Sequence, residues 1–117
     1  MMQTSPSALS ESERAQVLRF AASFLWADLK LLDVEREFFL DLARELGVGK
    51  AGWELAANLL ERPPTADEVD PSKVDPALAD KVRDVALRAI AADGRVLPEE
   101  MSMFDLLDAL LPNDSAR

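Results

Sequence analysis

The chain carries one helical pattern twice, 65 positions apart. The first copy reads Trp26-Ala27-Asp28-Leu29-Lys30-Leu31, with Glu35 seven residues after its aspartate. The second reads Ala91-Ala92-Asp93-Gly94-Arg95-Val96, with Glu100 again seven residues on. At that offset Asp28 meets Asp93, Glu35 meets Glu100 and Lys30 meets Arg95. The apolar flanks match as well: Val17 with Val82, Ala21 with Ala86, Leu25 with Ile90, and Leu42 with Leu107. Self-similarity at a fixed spacing reads as one supersecondary unit used twice. The expectation is a compact all-α bundle of about five helices, built from a pseudo-twofold duplicated helical hairpin.

Local signals place the helices. Ser10 with Glu13 makes a capping box, and Val17, Phe20, Ala21, Phe24 and Leu25 follow at helical spacing, giving a first helix over about 11–28. Asp33 is expected as N-cap of a second helix that stops at Gly47. A third, with Trp53 among its apolar members, runs to about Glu61 and is ended by Pro63-Pro64. Thr65 with Glu68 can cap a short turn in the acidic connector that follows. Asp75-Pro76 reads as N-cap then first helical residue of a fourth helix, and Pro98 opens a fifth in which Met101, Phe104, Leu107, Leu110 and Leu111 are apolar. No segment alternates apolar and polar residues for long, so no strand is expected. The domain is read as 10–112, with repeat 1 over about 11–46 and repeat 2 over about 76–111; 1–9 and 113–117 are read as tails.

Composition narrows the chemistry. With no cysteine, histidine or tyrosine, the chain has no disulfide, no thiol nucleophile and no imidazole base or ligand. A formal charge of −9 argues against nucleic acid, whose phosphates need a basic face, and points to a basic or cationic protein partner, or a divalent ion. No apolar run reaches membrane-span length, and Met1–Glu13 lacks the basic and apolar pattern of a leader, so a cytoplasmic location is expected.

The repeated corner is the main candidate site. Each glutamate falls near the start of a helix, where unpaired N–H groups and the positive end of the dipole favour a carboxylate. Each aspartate falls at the end of the preceding helix, where an anion costs roughly 0.3–1 kcal/mol unless something compensates. The aspartate can accept N–H groups of the turn, pair with Lys30 or Arg95, or join the glutamate and carbonyl oxygens around a hard cation such as Ca²⁺, Mg²⁺ or Mn²⁺. The ligand ladder of an EF-hand is missing.

Ala91-Ala92-Asp93-Gly94-Arg95-Val96-Leu97-Pro98-Glu99-Glu100 resembles the signature of the tellurite-resistance TerB-like family, a domain also seen in DnaJ-type membrane co-chaperones. The resemblance covers about 10–111 and has the order of a degenerate first copy, a Pro-rich link and a cleaner second copy. It implies an all-helical pseudo-twofold domain with no established catalytic activity, a role in tellurite and stress resistance, and acidic residues proposed as metal ligands. By motif position these are Asp28, Glu35, Asp93 and Glu100. The first copy departs from the pattern, with Leu29 in place of the glycine and Asp33-Val34-Glu35 in place of Pro98-Glu99-Glu100.

A different expectation comes from the last helix. It carries Glu99, Glu100, Asp105 and Asp108, with Asp114 following, and no Lys or Arg lies between Arg95 and Arg117. Such a face suits a metal-free structural adaptor that docks a basic protein partner. A carboxylate hydrolase would need two close carboxylates in a concave pocket.

Overall fold

The computed structural model describes residues 9–26, 31–92 and 98–112. Asp28, Lys30, Asp93, Gly94 and Arg95, and all of both tails except Leu9, lie outside the described residues. Leu9, expected in the N-terminal tail, packs partly buried against the core.

Among the described residues there are five α-helices and no strand: α1 (Glu11–Leu25), α2 (Asp33–Leu46), α3 (Lys50–Glu61), α4 (Pro76–Ile90) and α5 (Pro98–Leu110). The repeat read from sequence reappears in the helix limits. Both ends of α4 fall 65 positions after those of α1, and α5 starts 65 positions after α2.

Several helix ends have a local cause. The Ser10 hydroxyl accepts the Glu13 N–H at 3.1 Å while the Glu13 carboxylate accepts the Ser10 N–H at 2.8 Å, so two of the orphan donors of α1 are satisfied reciprocally. α2 stops at Gly47, whose φ of 72° is the left-handed conformation that lets its N–H turn back to the carbonyls of Ala43 and Arg44. Asp33 is the first residue of α2 rather than its cap; Leu32 holds the cap position. Pro76 opens α4 as expected, although the Asp75 side chain makes no capping hydrogen bond. Between α3 and α4 the acidic connector forms two short 3-10 turns, Ala66–Val69 and Pro71–Lys73. In the first, Glu68 reaches back to the Thr65 N–H at 2.9 Å. The second was not foreseen and is held by Asp70, which accepts from the N–H and hydroxyl of Ser72.

α1 and α4 are the central pair and make the most extensive helix contact in the molecule. Val17, Ala21 and Leu25 of α1 are buried, as are Val82, Ala86 and Ile90 at the matching positions of α4. α2 and α5 lie against this pair, and α3 packs across α1 and α2. Gly52 allows the start of α3 to close on the preceding loop: a Cβ there would stand 2.5 Å from Cβ of Val48. Trp26 anchors the other end of α3, donating its indole N–H to the Leu59 carbonyl at 2.7 Å. Trp53, expected among the apolar contributors, is instead 37% exposed.

Candidate functional site

The two glutamates of the repeat occupy the same place in both halves. Glu35 lies in the first turn of α2 and Glu100 in the first turn of α5, and they are the only buried charged side chains among the described residues. Glu35 Oε1 accepts the Leu32 N–H at 2.8 Å. Leucine has no side-chain acceptor to return the favour, so only one half of a capping box is made here. Burial of a carboxylate is tolerable at this spot because the helix N-terminus supplies donors and a positive dipole end. Both glutamates have further polar or electrostatic interactions.

Asp28 and Asp93, the other half of each expected corner, are outside the described residues. The described residues bring together no group of three or more acidic side chains able to hold a metal ion. A hard cation takes about six to eight oxygen ligands. Each corner contributes one described carboxylate, and that of Glu35 already caps a helix.

The acidic helix α5 divides differently from its sequence. Glu100 is buried and so leaves the solvated face. Asp108 is engaged by Arg83 of α4, whose guanidinium also donates to the carbonyls of Leu111 and Pro112 and thereby ties down the end of α5. Glu99 and Asp105 remain exposed. Leu110, one of the apolar members of the helix, is 54% exposed, and Leu106 is 63% exposed.

Those two leucines edge a groove of about 260 Å³. Phe20, Ser23 and Phe24 of α1 form one side, Met103 and Leu107 of α5 the other, and Val69 and Pro71 of the two short turns close an end. No titratable side chain among the described residues lines it. The elements that form it carry Asp67, Glu68 and Asp70 around the turns, Glu99 and Asp105 on α5, and Arg14 and Arg19 among the charges of α1. Sequence reading missed the groove because Leu106 and Leu110 look like ordinary members of an apolar stripe. A signal was present: 65 positions earlier the same places hold Asp41 and Glu45.

A second cluster, also missed, lies across α2 and α4. Arg88 donates to both carboxylate oxygens of Glu45, at 2.8 and 3.1 Å, and its guanidinium carbon stands 5.9 Å from the centre of the Phe38 ring. The bidentate bond to Arg88 is the main reason the Glu45 carboxyl is held below its ordinary range, and the same bond raises Arg88. Compared with protein-family models, curated proteins and solved structures, the chain matches none. No helix among the described residues is long and apolar enough to cross a membrane.

Proposed function

We propose that the chain is a non-enzymatic binding domain of the TerB-like kind, acting in the cytoplasm in stress or tellurite resistance as an adaptor that docks a basic protein partner on α5. The observation that carries this reading is α5 itself, a helix on which Leu106 and Leu110 stand exposed and which also exposes the carboxylates of Glu99 and Asp105. Exposed leucines on an acidic helix suit a partner that supplies apolar anchors and positive charge. The test is capture of partners from cells of the source organism. Capture that survives Asp93→Asn but is lost with Glu99→Gln and Asp105→Asn together supports the adaptor; the reverse pattern removes it. Asp108 is left intact because it holds Arg83.

A second reading assigns the function to the repeated corners. Here Asp28 with Glu35, and Asp93 with Glu100, bind a divalent cation together with carbonyl oxygens of the turns. Burial of both glutamates at equivalent positions supports it. Titration of Ca²⁺, Mg²⁺ and Mn²⁺ against amide chemical shifts tests it. A saturable change confined to 28–35 and 93–100 is the expected result, and no such change would end the cation reading.

A further inference from the structure

The groove between α1 and α5 has a counterpart in the other half of the molecule, and the two are filled differently. Moving each residue by the repeat spacing of 65 exchanges α1 with α4 and α5 with α2. Ser23 then falls on Arg88, Met103 on Phe38, Leu106 on Asp41 and Leu110 on Glu45. Across α2 and α4, Arg88 lies over Phe38 and grips Glu45, so the valley is closed by the chain's own side chain. Across α1 and α5, Ser23 is too short to do this, and its hydroxyl turns back to the Phe20 carbonyl at 2.7 Å. The space Arg88 occupies in one half is open in the other.

The leucines beside that space are not demanded by the fold. Asp41 and Glu45 occupy the same helical positions in α2, where they too are exposed. A solvated position that accepts a carboxylate in one copy needs no leucine in the other for packing. Resting on the adaptor reading above, we infer that the α1–α5 groove receives the apolar stripe of a basic amphipathic helix belonging to a partner protein.

Three features select that occupant. The walls are two helices, and no strand edge exists among the described residues, so a helix laid in the groove fits better than an added strand. The charged residues of α5 are all acidic, and Asp67, Glu68 and Asp70 outnumber Lys73 on the turns. Of the cations on neighbouring elements, Arg83 is already engaged by Asp108 and Asp80, and Arg14 by Glu11, leaving Arg19 on α1. That favours Lys and Arg on the partner's flanks and disfavours both an anionic lipid surface and a second copy of a chain of charge −9. The volume of about 260 Å³ is below the roughly 300–1,000 Å³ of small-molecule sites and suits a few anchoring side chains.

The test uses the full chain and a fluorescein-labelled synthetic peptide of about four helical turns, with leucines along one face and Lys and Arg on the rest. A matched peptide keeps the leucines but carries Glu in place of the cations. Anisotropy should show saturable binding of the basic peptide that weakens with salt, and little binding of the acidic one. The double variant Leu106→Asp with Leu110→Glu should weaken binding at least about tenfold, as loss of a central apolar anchor does. Its added negative charge alone would strengthen attraction to a basic peptide, so weakening isolates the apolar contact. Ser23→Met, which fills the groove without adding charge, should weaken binding as well, and circular dichroism of each variant verifies the fold.

Basic-peptide binding that neither variant disturbs would overturn the groove assignment while leaving an adaptor elsewhere on α5 standing. No basic-peptide binding, with self-association in sedimentation velocity that the double variant abolishes, would make a second copy the occupant and overturn the proposal. Binding to vesicles containing anionic phospholipid in place of the peptide would do the same. Loss of neither peptide binding nor cellular capture on neutralising Glu99 and Asp105 would remove the adaptor reading itself.

Discussion

The two helical hairpins share their frame and differ in their finish. In both, the first helix buries the same three apolar positions, Val17, Ala21 and Leu25 in α1 and Val82, Ala86 and Ile90 in α4. In both, a glutamate in the first turn of the second helix is buried. The outer side of that second helix is where they part. α2 is covered by α3 and stitched to α4 through Arg88 and Lys81, both of which reach Glu45. No helix packs across α4 and α5 in that way among the described residues, and α5 exposes leucines where α2 exposes carboxylates. Positions common to both hairpins are those the fold requires. Positions that differ while staying exposed were free to take on a surface role, and in α5 they became apolar.

The sharpest test of that division lies in the core. Leu42 and Leu107 are matching residues, the first 1% exposed and the second 6% exposed on the wall of the groove. Leu42→Ala should destabilise by about 2–5 kcal/mol, the range for emptying a closed site. Leu107→Ala should fall at or below the lower end, because the groove already admits solvent beside it. Denaturant unfolding of both variants checks this, and equal losses would mean that the second hairpin is as closed as the first.

The buried glutamates should come next. Glu35→Ala removes the acceptor of the Leu32 N–H and should cost about 1–2 kcal/mol, in the range of a lost helix cap with a donor left unsatisfied. Glu35→Gln keeps an oxygen there and should cost less. Glu100→Ala, in the same turn of α5, should match Glu35→Ala to within about 0.5 kcal/mol. A clearly unequal pair would break the equivalence of the corners, and a larger loss for both in the presence of a divalent ion would favour the cation reading.

How much of this was legible depended on whether burial or partner choice set the residue. The helices were, because their signals are local: the capping box at Ser10, the left-handed Gly47, the proline at Pro76 and Pro98. The glutamates were, because their position in a first turn has a physical reason that needs no tertiary contact. The Asp33 cap was misplaced by one residue: an aspartate at the first helical position and one at the cap look alike when the true cap, Leu32, has no polar side chain. The exposure of Leu110 and Trp53, read only as apolar members of their helices, was not legible, because spacing gives a stripe but not its width, and only the packed neighbours decide which edge of it stays wet. Arg88 on Phe38 and Glu45 could not be read, since those residues lie 43 to 50 positions apart and nothing local marks the meeting.

That cluster gives the molecule an acid dependence. Hydrogen bonds from Arg88, opposed by partial burial and helped by the charges of Arg88 and Lys81, hold Glu45 below its ordinary value of 4.5. A carboxyl whose folded value is depressed contributes stability that is present above the unfolded value and lost as pH falls through the folded one. Its contribution should therefore be complete above about pH 4.5 and fade on further acidification. Glu45 is 48% exposed, so solvent screening limits the effect to below about 1 kcal/mol. Comparing acid unfolding of the native chain with Glu45→Gln should show the difference near neutrality and its disappearance in acid. Persistence of the gap below pH 3 would assign the loss to packing rather than charge.

The smallest expected effect separates surface role from structural role. Giving α5 the residues of α2, by Leu106→Asp with Leu110→Glu, should change stability by no more than about 0.5 kcal/mol, as exposed substitutions do. Giving α2 the residues of α5, by Asp41→Leu with Glu45→Leu, should cost slightly more because Arg88 and Lys81 lose their carboxylate. Melting curves of the two exchanges settle the order. If the α5 exchange proved the more damaging, Leu106 and Leu110 would be packing residues, and their exposure would carry no message about a partner. If it is silent in stability yet abolishes binding of the basic helix, the leucines serve recognition alone, since the only property they changed is what α5 presents to another molecule.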